Sequence, residues 1–268
     1  MPAPHELLHD RATDGARATD DDMQRLIRGS HGHFPFLSWS IGANLTSGKI
    51  SLERYLDGVK FMTARTSYHH GNLRRALLDS GLALLAEKGP DGFTLREVAR
   101  RAGVSHAAPY HHFADRGALI RGIVAESFEL LGSALARAAS NAGDDPFDRL
   151  EAMGLAYVDF ALDHPQRYRL MFRTELSRSS DPDLATEADA AGGGAFATLM
   201  AAVQDAADQG LLRAGTDAGG AAVTAWSSVH GLASLVLEGA IGILPDQRER
   251  ARQVASHVVG LVVDGLRR

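Results

Sequence analysis

The chain has 268 residues, of which 45% are hydrophobic and 23% charged, with a net charge of −5. That balance supports one large or two modest packed domains and excludes wholesale disorder. The absence of cysteine removes disulfides, thiolate metal sites and cysteine redox sensing, and fits a reducing compartment.

The opening "MPAPHELLHDRATDGARATDDDM" is polar and acidic where a signal peptide needs a basic start and an apolar run. No stretch has the roughly 18 consecutive apolar residues of a membrane span, so a cytoplasmic chain without membrane contact is expected. Residues 1–30 lack apolar periodicity and read as disordered. Residues 31–50 hold scattered aromatics without a period. Ser51 can cap a short helix with Leu52, Tyr55, Leu56 and Val59 on one face. Residues 1–65 carry no motif, and a dispensable extension is expected there, with the working protein beginning near Met62.

From His70 onward the pattern is helical. Leu73, Ala76, Leu77, Leu84 and Leu85 form one stripe, which "EKGPDG" stops. Thr94 caps a short second helix with Leu95, Val98, Ala99 and Ala102 turned inward, and Gly103 ends it where a left-handed residue costs least. Ser105 is expected to cap a third helix, and Asp115 a fourth with Leu119, Ile123 and Leu130 along one side. Further helices are expected over 146–163, 166–178, 184–211, 217–240 and 246–267, with "AGGGA" at 191–195 as a flexible break. Alternating strand patterns are absent, so the fold class is all-α.

Charge is distributed unevenly. Tyr68 to Arg116 carries seven Lys/Arg against five Asp/Glu, plus five histidines, in a chain that is acidic overall. Within it, two short helices joined only by "GVS" cannot run antiparallel, because so tight a turn forces the steep crossing of a helix-turn-helix. Val98, Ala99 and Val104 would pack at the crossing. His106, Ala107, Tyr110 and His111 would face outward from a third helix whose N-terminus favours anions. Spacing alone leaves two readings open, a DNA-binding corner or a helical hairpin with solvated polar positions.

The segment "TLREVARRAGVSHAAPYHHFADRGAL" (94–119) resembles the DNA-binding signature of the TetR (tetracycline repressor) family of bacterial regulators. The shared elements are the opening threonine, "VA", "AGVS", the tyrosine, and "HF" followed by an acidic and a basic residue. Likeness continues back through "HGNLRRALLDSGLALLAEKG" and forward through "HPQRYRLMF". The resemblance implies a three-helix helix-turn-helix DNA-binding domain over 66–115 (motif about 94–113), followed by a helical effector-binding and dimerisation domain over 116–268. It implies Thr94 and Tyr110 as phosphate contacts, Ser105 as a cap near the backbone, and His106, Ala107 and His111 opposite base edges. Arg116, where the family usually has lysine, would meet phosphate as a planar fork. Pro109 replaces a common aliphatic residue and stiffens its turn. Gly117 replaces an acidic residue and would loosen the start of the fourth helix. With no Arg, Asn or Gln for bidentate base contacts, thymine methyls and DNA shape would carry much of the specificity.

Trp226, His230 and Gly231 in "AAVTAWSSVHGLASLVLEG" resemble a Trp-x-x-x-His-Gly element found in a subset of the same family. Close helix packing and pocket lining both remain open for it. Met153, Tyr157, Phe160 and Phe172 join Trp226 and His230 as candidate effector contacts, because the family's helical body usually holds a small molecule. Ala222, Val229, Val236, Val254, Val258 and Leu261 are candidates for a dimer interface.

Enzyme motifs are missing: there is no G-x-S-x-G, H-E-x-x-H, P-loop or G-x-G-x-x-G. The pairs His69–His70 and His111–His112 diverge on a helix and chelate poorly, so no metal, cofactor or catalytic residue is expected. The resemblance implies a homodimeric regulator, most simply a repressor released from a palindromic operator in double-stranded DNA by a small-molecule effector. The competing reading is a helical ligand-binding or scaffold protein that has lost operator affinity.

Overall fold

In the computed structural model the described residues are 68–173 and 182–268, and eight α-helices account for most of them. They are α1 Tyr68–Lys88, α2 Leu95–Arg101, α3 Arg116–Asn141, α4 Pro146–Asp163, α5 Pro165–Met171, α6 Pro182–Asp208, α7 Ala218–Leu237 and α8 Arg248–Leu266. The only extended pairing among the described residues is one antiparallel bridge between Leu212 and Arg267, which ties the chain's end to the α6–α7 loop. The expected extension, the helix around Leu52–Val59 and the His69–His70 side chains lie outside what is described.

Start signals operate as chemistry predicts. Thr94 and Glu97 form a reciprocal capping box on α2, and the Asp115 carboxylate accepts from the Ala118 amide at the start of α3. Asp115 therefore holds that helix start despite Gly117. Asp145 and Asp217 cap α4 and α7 in the same way. Gly103 takes φ +70°, the left-handed turn that ends α2.

One expectation fails for a packing reason. The glycines of "AGGGA" lie inside α6, where Ala195 and Phe196 are buried. A Cβ built on Gly132 of α3 would sit 3.6 Å from the Ala195 Cα, so small residues let α3 and α6 close to contact. That pair packs more extensively than any other, and burial outweighs the roughly 1 kcal/mol that each helical glycine costs. Of the helix expected over 166–178, α5 covers Pro165–Met171 and is capped at Phe172, and residues 174–178 lie outside the described residues.

The remaining helices wrap the same core. α4 lies against α3, α6, α7 and α8, and α1 packs on α3 through Leu77, Leu78 and Leu84 with Leu119 and Ile123. α7 has the length and mean hydropathy (1.3) of a membrane span. Its Ala221, Ala222, Val229, Leu232, Ala233 and Val236 are nonetheless buried in the body as a core face.

Candidate nucleic-acid interface and a buried ring cluster

The helix-turn-helix corner is built from α2 and the residues after Gly103. Leu95, Val98 and Ala99 are buried beneath α2, and the Val104 amide returns to the Ala99 carbonyl at 3.0 Å. The third α-helix expected after this corner does not form. Ala108–His111 makes a single 3-10 turn with no side-chain cap, and Ser105 contributes only its carbonyl, bonded to the Ala108 amide at 3.0 Å. Pro109 explains this. It has no N–H to return to Ser105, and its ring disfavours an α conformation at Ala108, so the chain closes three-residue rings instead. A one-turn element lacks the N-terminal anion preference expected of a full helix.

The outward set survives the change of helix type. His106, Ala107, Tyr110 and His111 are exposed, while Pro109 and Phe113 are buried and anchor the turn. Arg74 of α1 lies over the Phe113 ring, 5.6 Å from its centroid. Two expected phosphate contacts already have partners. The Thr94 hydroxyl accepts from the Glu97 amide and donates to its carboxylate. Arg116 donates to Asp91 at 2.6 Å. Lys88 and Arg101 are likewise held by Glu97 and Glu87. By contrast Arg96 and Arg100, one turn apart on α2, and Arg75 on α1 are exposed and form no ion pair among the described residues. Sequence reasoning passed over these three. The i, i+4 spacing of Arg96 and Arg100 on α2 was visible, but not which neighbouring arginines would be spent on carboxylates.

In the helical body the structure gathers Tyr157 of α4, Phe172 after α5, and Trp226 and His230 of α7, and adds Tyr168, Phe196 and Ser234. The Tyr157 and Tyr168 hydroxyls each stand 2.9 Å from His230 Nδ1. The Tyr168 hydroxyl also meets the His230 carbonyl at 3.0 Å and Ser234 Oγ at 3.1 Å. Phe172 packs edge-on to His230 at 4.4 Å between centroids. Burial pushes both phenols above their ordinary pKa and holds the His230 imidazolium below its own, so the cluster is neutral near pH 7. Met153 and Phe160 are also buried, and the Phe160 ring faces His164 at 5.0 Å between centroids.

Beside the cluster, α5 reaches in the opposite direction. Arg167 is buried and donates to Glu126 of α3 at 2.8 Å, to Ser127 at 3.3 Å and to Asp79 of α1 at 3.1 Å. Adjacent residues of one short helix thus hold α1 and α7. Among the described residues no group of three His, Asp or Glu side chains is placed to hold a metal ion.

Residues 77–123 match the family model described as "Bacterial regulatory proteins, tetR family". Residues 150–262 match "Tetracyclin repressor-like, C-terminal domain", and together the two cover more than half of the chain. The chain belongs to the TetR family. A curated relative, the HTH-type transcriptional regulator BetI of Burkholderia thailandensis, is 36% identical over 88 residues, 32% of this chain and 45% of its own length. The chain therefore spans about half of the curated relatives it matches. A solved protein of unknown function from Rhodococcus sp. RHA1 is 34% identical and covers 76% of this chain and 100% of its own, with a TM-score of 0.63. The TetR-family regulator PfmR from Thermus thermophilus shares the fold at 23% identity, covering 72% of this chain and 99% of its own, with a TM-score of 0.57.

Proposed function

We propose that this TetR-family chain is a cytoplasmic, homodimeric, sequence-specific DNA-binding transcription regulator, acting as a repressor that a small-molecule effector releases from a palindromic operator. The observation that carries the reading is the exposed row His106, Ala107, Tyr110 and His111 on a turn anchored by buried Pro109 and Phe113, beside the exposed cations Arg96 and Arg100, which form no ion pair among the described residues. Residues 66–115 form the DNA-binding unit and 116–268 the effector-binding and dimerisation body. In this division Arg75, Arg96, Arg100 and the Tyr110 hydroxyl set the register on phosphates, while His106, His111 and the Ala107 methyl read base edges. Thr94 and Ser105 position the backbone, and Arg116 reaches phosphate by exchanging it for Asp91.

One short turn offers too few contacts for tight binding, so two copies act across a two-fold axis. Ala222, Val229 and Val236 point into their own core and cannot serve that interface, contrary to the sequence reading. The supporting surface is instead Thr224, Gly231 and Leu235 on α7 with Val254, Val258 and Leu261 on α8. Leu235 is 43% and Leu261 60% exposed, and a Cβ on Gly231 would meet nothing within 4 Å. The Trp-x-x-x-His-Gly element supplies both sides of α7, with Trp226 and His230 in the effector cluster and Gly231 at the dimer face.

Selection of bound sequences from random duplex DNA tests the reading. Inverted repeats with half-sites about 34–36 Å apart, or a related multiple, are expected. Recovery of no motif, with binding equal on all duplexes, overturns it. The competing ligand-binding or scaffold reading draws on one observation: Lys88, Arg101 and Arg116 are neutralised by carboxylates on the face offered to DNA. Salt-sensitive, sequence-selective shifts of a DNA probe exclude it.

A further inference from the structure

A helical body needs no polar groups in its core, and a hydrogen-bonded core network is retained at a cost unless something uses it. Tyr157, Tyr168, Ser234 and His230 form such a network, closed on itself on the Nδ1 side. The Tyr168 hydroxyl gives its one proton to the His230 carbonyl. A phenol is the stronger acid and an imidazole nitrogen the stronger base of such a pair, so the Tyr157 hydroxyl donates and Nδ1 accepts with its single lone pair. The ring proton of neutral His230 then sits on Nε2.

Nε2 makes no hydrogen bond among the described residues, and no buried side-chain nitrogen or oxygen there lacks a partner. His230 is only partly buried, so this N–H remains open. Around it the rings divide into two groups. Tyr157, Tyr168 and Phe196 are buried, whereas Phe172, Trp226 and His230 are each incompletely covered. Phe172 lies 4.4 Å and Trp226 5.7 Å from the His230 ring, centroid to centroid. The result is an aromatic surface over a polar floor, with one neutral donor at its edge.

The charges nearby select further. Arg167 turns away to Asp79 and Glu126, and Arg169 donates to the Leu237 carbonyl at the end of α7. Among the described residues no cation stacks on these rings. Among the described residues an acidic side chain, Glu238, stands near Tyr168 and raises its pKa. Among the described residues a carboxylate or phosphate would find no cation stacked on these rings and would meet Glu238.

We infer that the Phe172–Trp226–His230 surface binds an uncharged, flat aromatic effector through stacking and one hydrogen bond from His230 Nε2–H to a carbonyl-type oxygen. This rests on the effector reading above and assigns the chemical class that the site accepts. Trp226 and Phe172 supply sequence-tolerant contact area, and the Nε2 donor distinguishes ligands that carry an acceptor from those that do not.

The test uses the full chain with Trp39→Phe, so that Trp226 alone reports by fluorescence. Three probes are titrated: coumarin (flat, neutral, with a carbonyl), naphthalene (flat, with no acceptor) and coumarin-3-carboxylate (flat, anionic). Coumarin should bind saturably, naphthalene about tenfold more weakly for want of one hydrogen bond, and the carboxylate more weakly than coumarin. His230→Asn keeps an amide where Nδ1 meets the tyrosines and removes the Nε2 donor. It should melt near the parent and lose about tenfold in coumarin affinity, while His230→Gln, whose amide reaches the Nε2 position, should recover part of it. Tighter binding of the carboxylate, or equal coumarin affinity in parent and His230→Asn, overturns the ligand class. A long-chain fatty acid is titrated in parallel, with release of DNA as the readout. If it displaces DNA while coumarin does not bind, the effector reading stands and this inference falls. If no probe binds and none releases DNA, both fall.

Discussion

Replacing Arg167 with methionine should destabilise the protein more than any single ion-pair change on its surface. The side chain is 8% exposed and its partner Glu126 16%, so removing the guanidinium leaves a carboxylate largely out of water beside the Ser127 hydroxyl. Breaking a buried pair from one side costs roughly 3–5 kcal/mol, and the remaining exposure of Glu126 puts this case near the lower end, about 3 kcal/mol. At roughly 2–4 °C per kcal/mol for a body of this size, the melting temperature should fall by about 6–12 °C. The Asp79 limb is different: that carboxylate is 55% exposed, and Asp79→Asn should cost less than about 1 kcal/mol. A thermal-melt cycle over parent, Arg167→Met, Glu126→Gln and the double variant isolates the buried pair. Glu126→Gln should be costly with arginine present and nearly neutral with methionine. Additive losses within about 0.5 kcal/mol, or an Arg167→Met variant that melts with the parent, would refute the claim that Arg167 and Glu126 stabilise the α1–α3–α5 junction as a unit.

Arg100→Ala should weaken binding to specific and random DNA alike and lower the slope of log affinity against log salt by about 1, as filter binding across a salt series would read. His106→Ala should change preference at one base-pair position per half-site, visible on repeating the sequence selection, with random-duplex affinity unchanged. Leu261→Glu places a charge in the exposed α8 stripe and should shift the protein toward monomer in sedimentation equilibrium, with loss of operator binding and little change in helicity. The pH dependence follows from His230, whose folded pKa lies below the ordinary 6.5 because burial disfavours the cation. Unfolded chains take up a proton that folded ones refuse, so its contribution is full above about 6.5 and is lost as pH falls from there through the depressed value. The drop in melting temperature between pH 7.5 and 5.5 should therefore be smaller in His230→Asn than in the parent.

The legible parts of this protein were those fixed by local chemistry. Thr94 and Asp115 announce helix starts through side chains that bond within three residues, and Gly103 announces a stop through its own φ. Tertiary closeness was not legible. "AGGGA" reads as a break until α3 presents Gly132 opposite Ala195, which turns three poor helix formers into a packing face. Pro109 carried the reverse error, since a residue tolerated in a first helical turn also sets its hydrogen-bond period, here three rather than four. In the body, Trp226 and His230 stood out by their spacing on one helix. Tyr168 did not, because its partners are 62 and 66 residues away. Nor did Arg167, whose partners lie 40, 41 and 88 residues away. Its burial follows only once α5 is wedged among α1, α3 and α7, and there a neighbouring pair of residues, Arg167 and Tyr168, hold Asp79 on one side and His230 on the other. A change in the tilt of α5 that is small at the ring cluster must then be felt at Asp79, because both contacts sit on the same seven-residue helix.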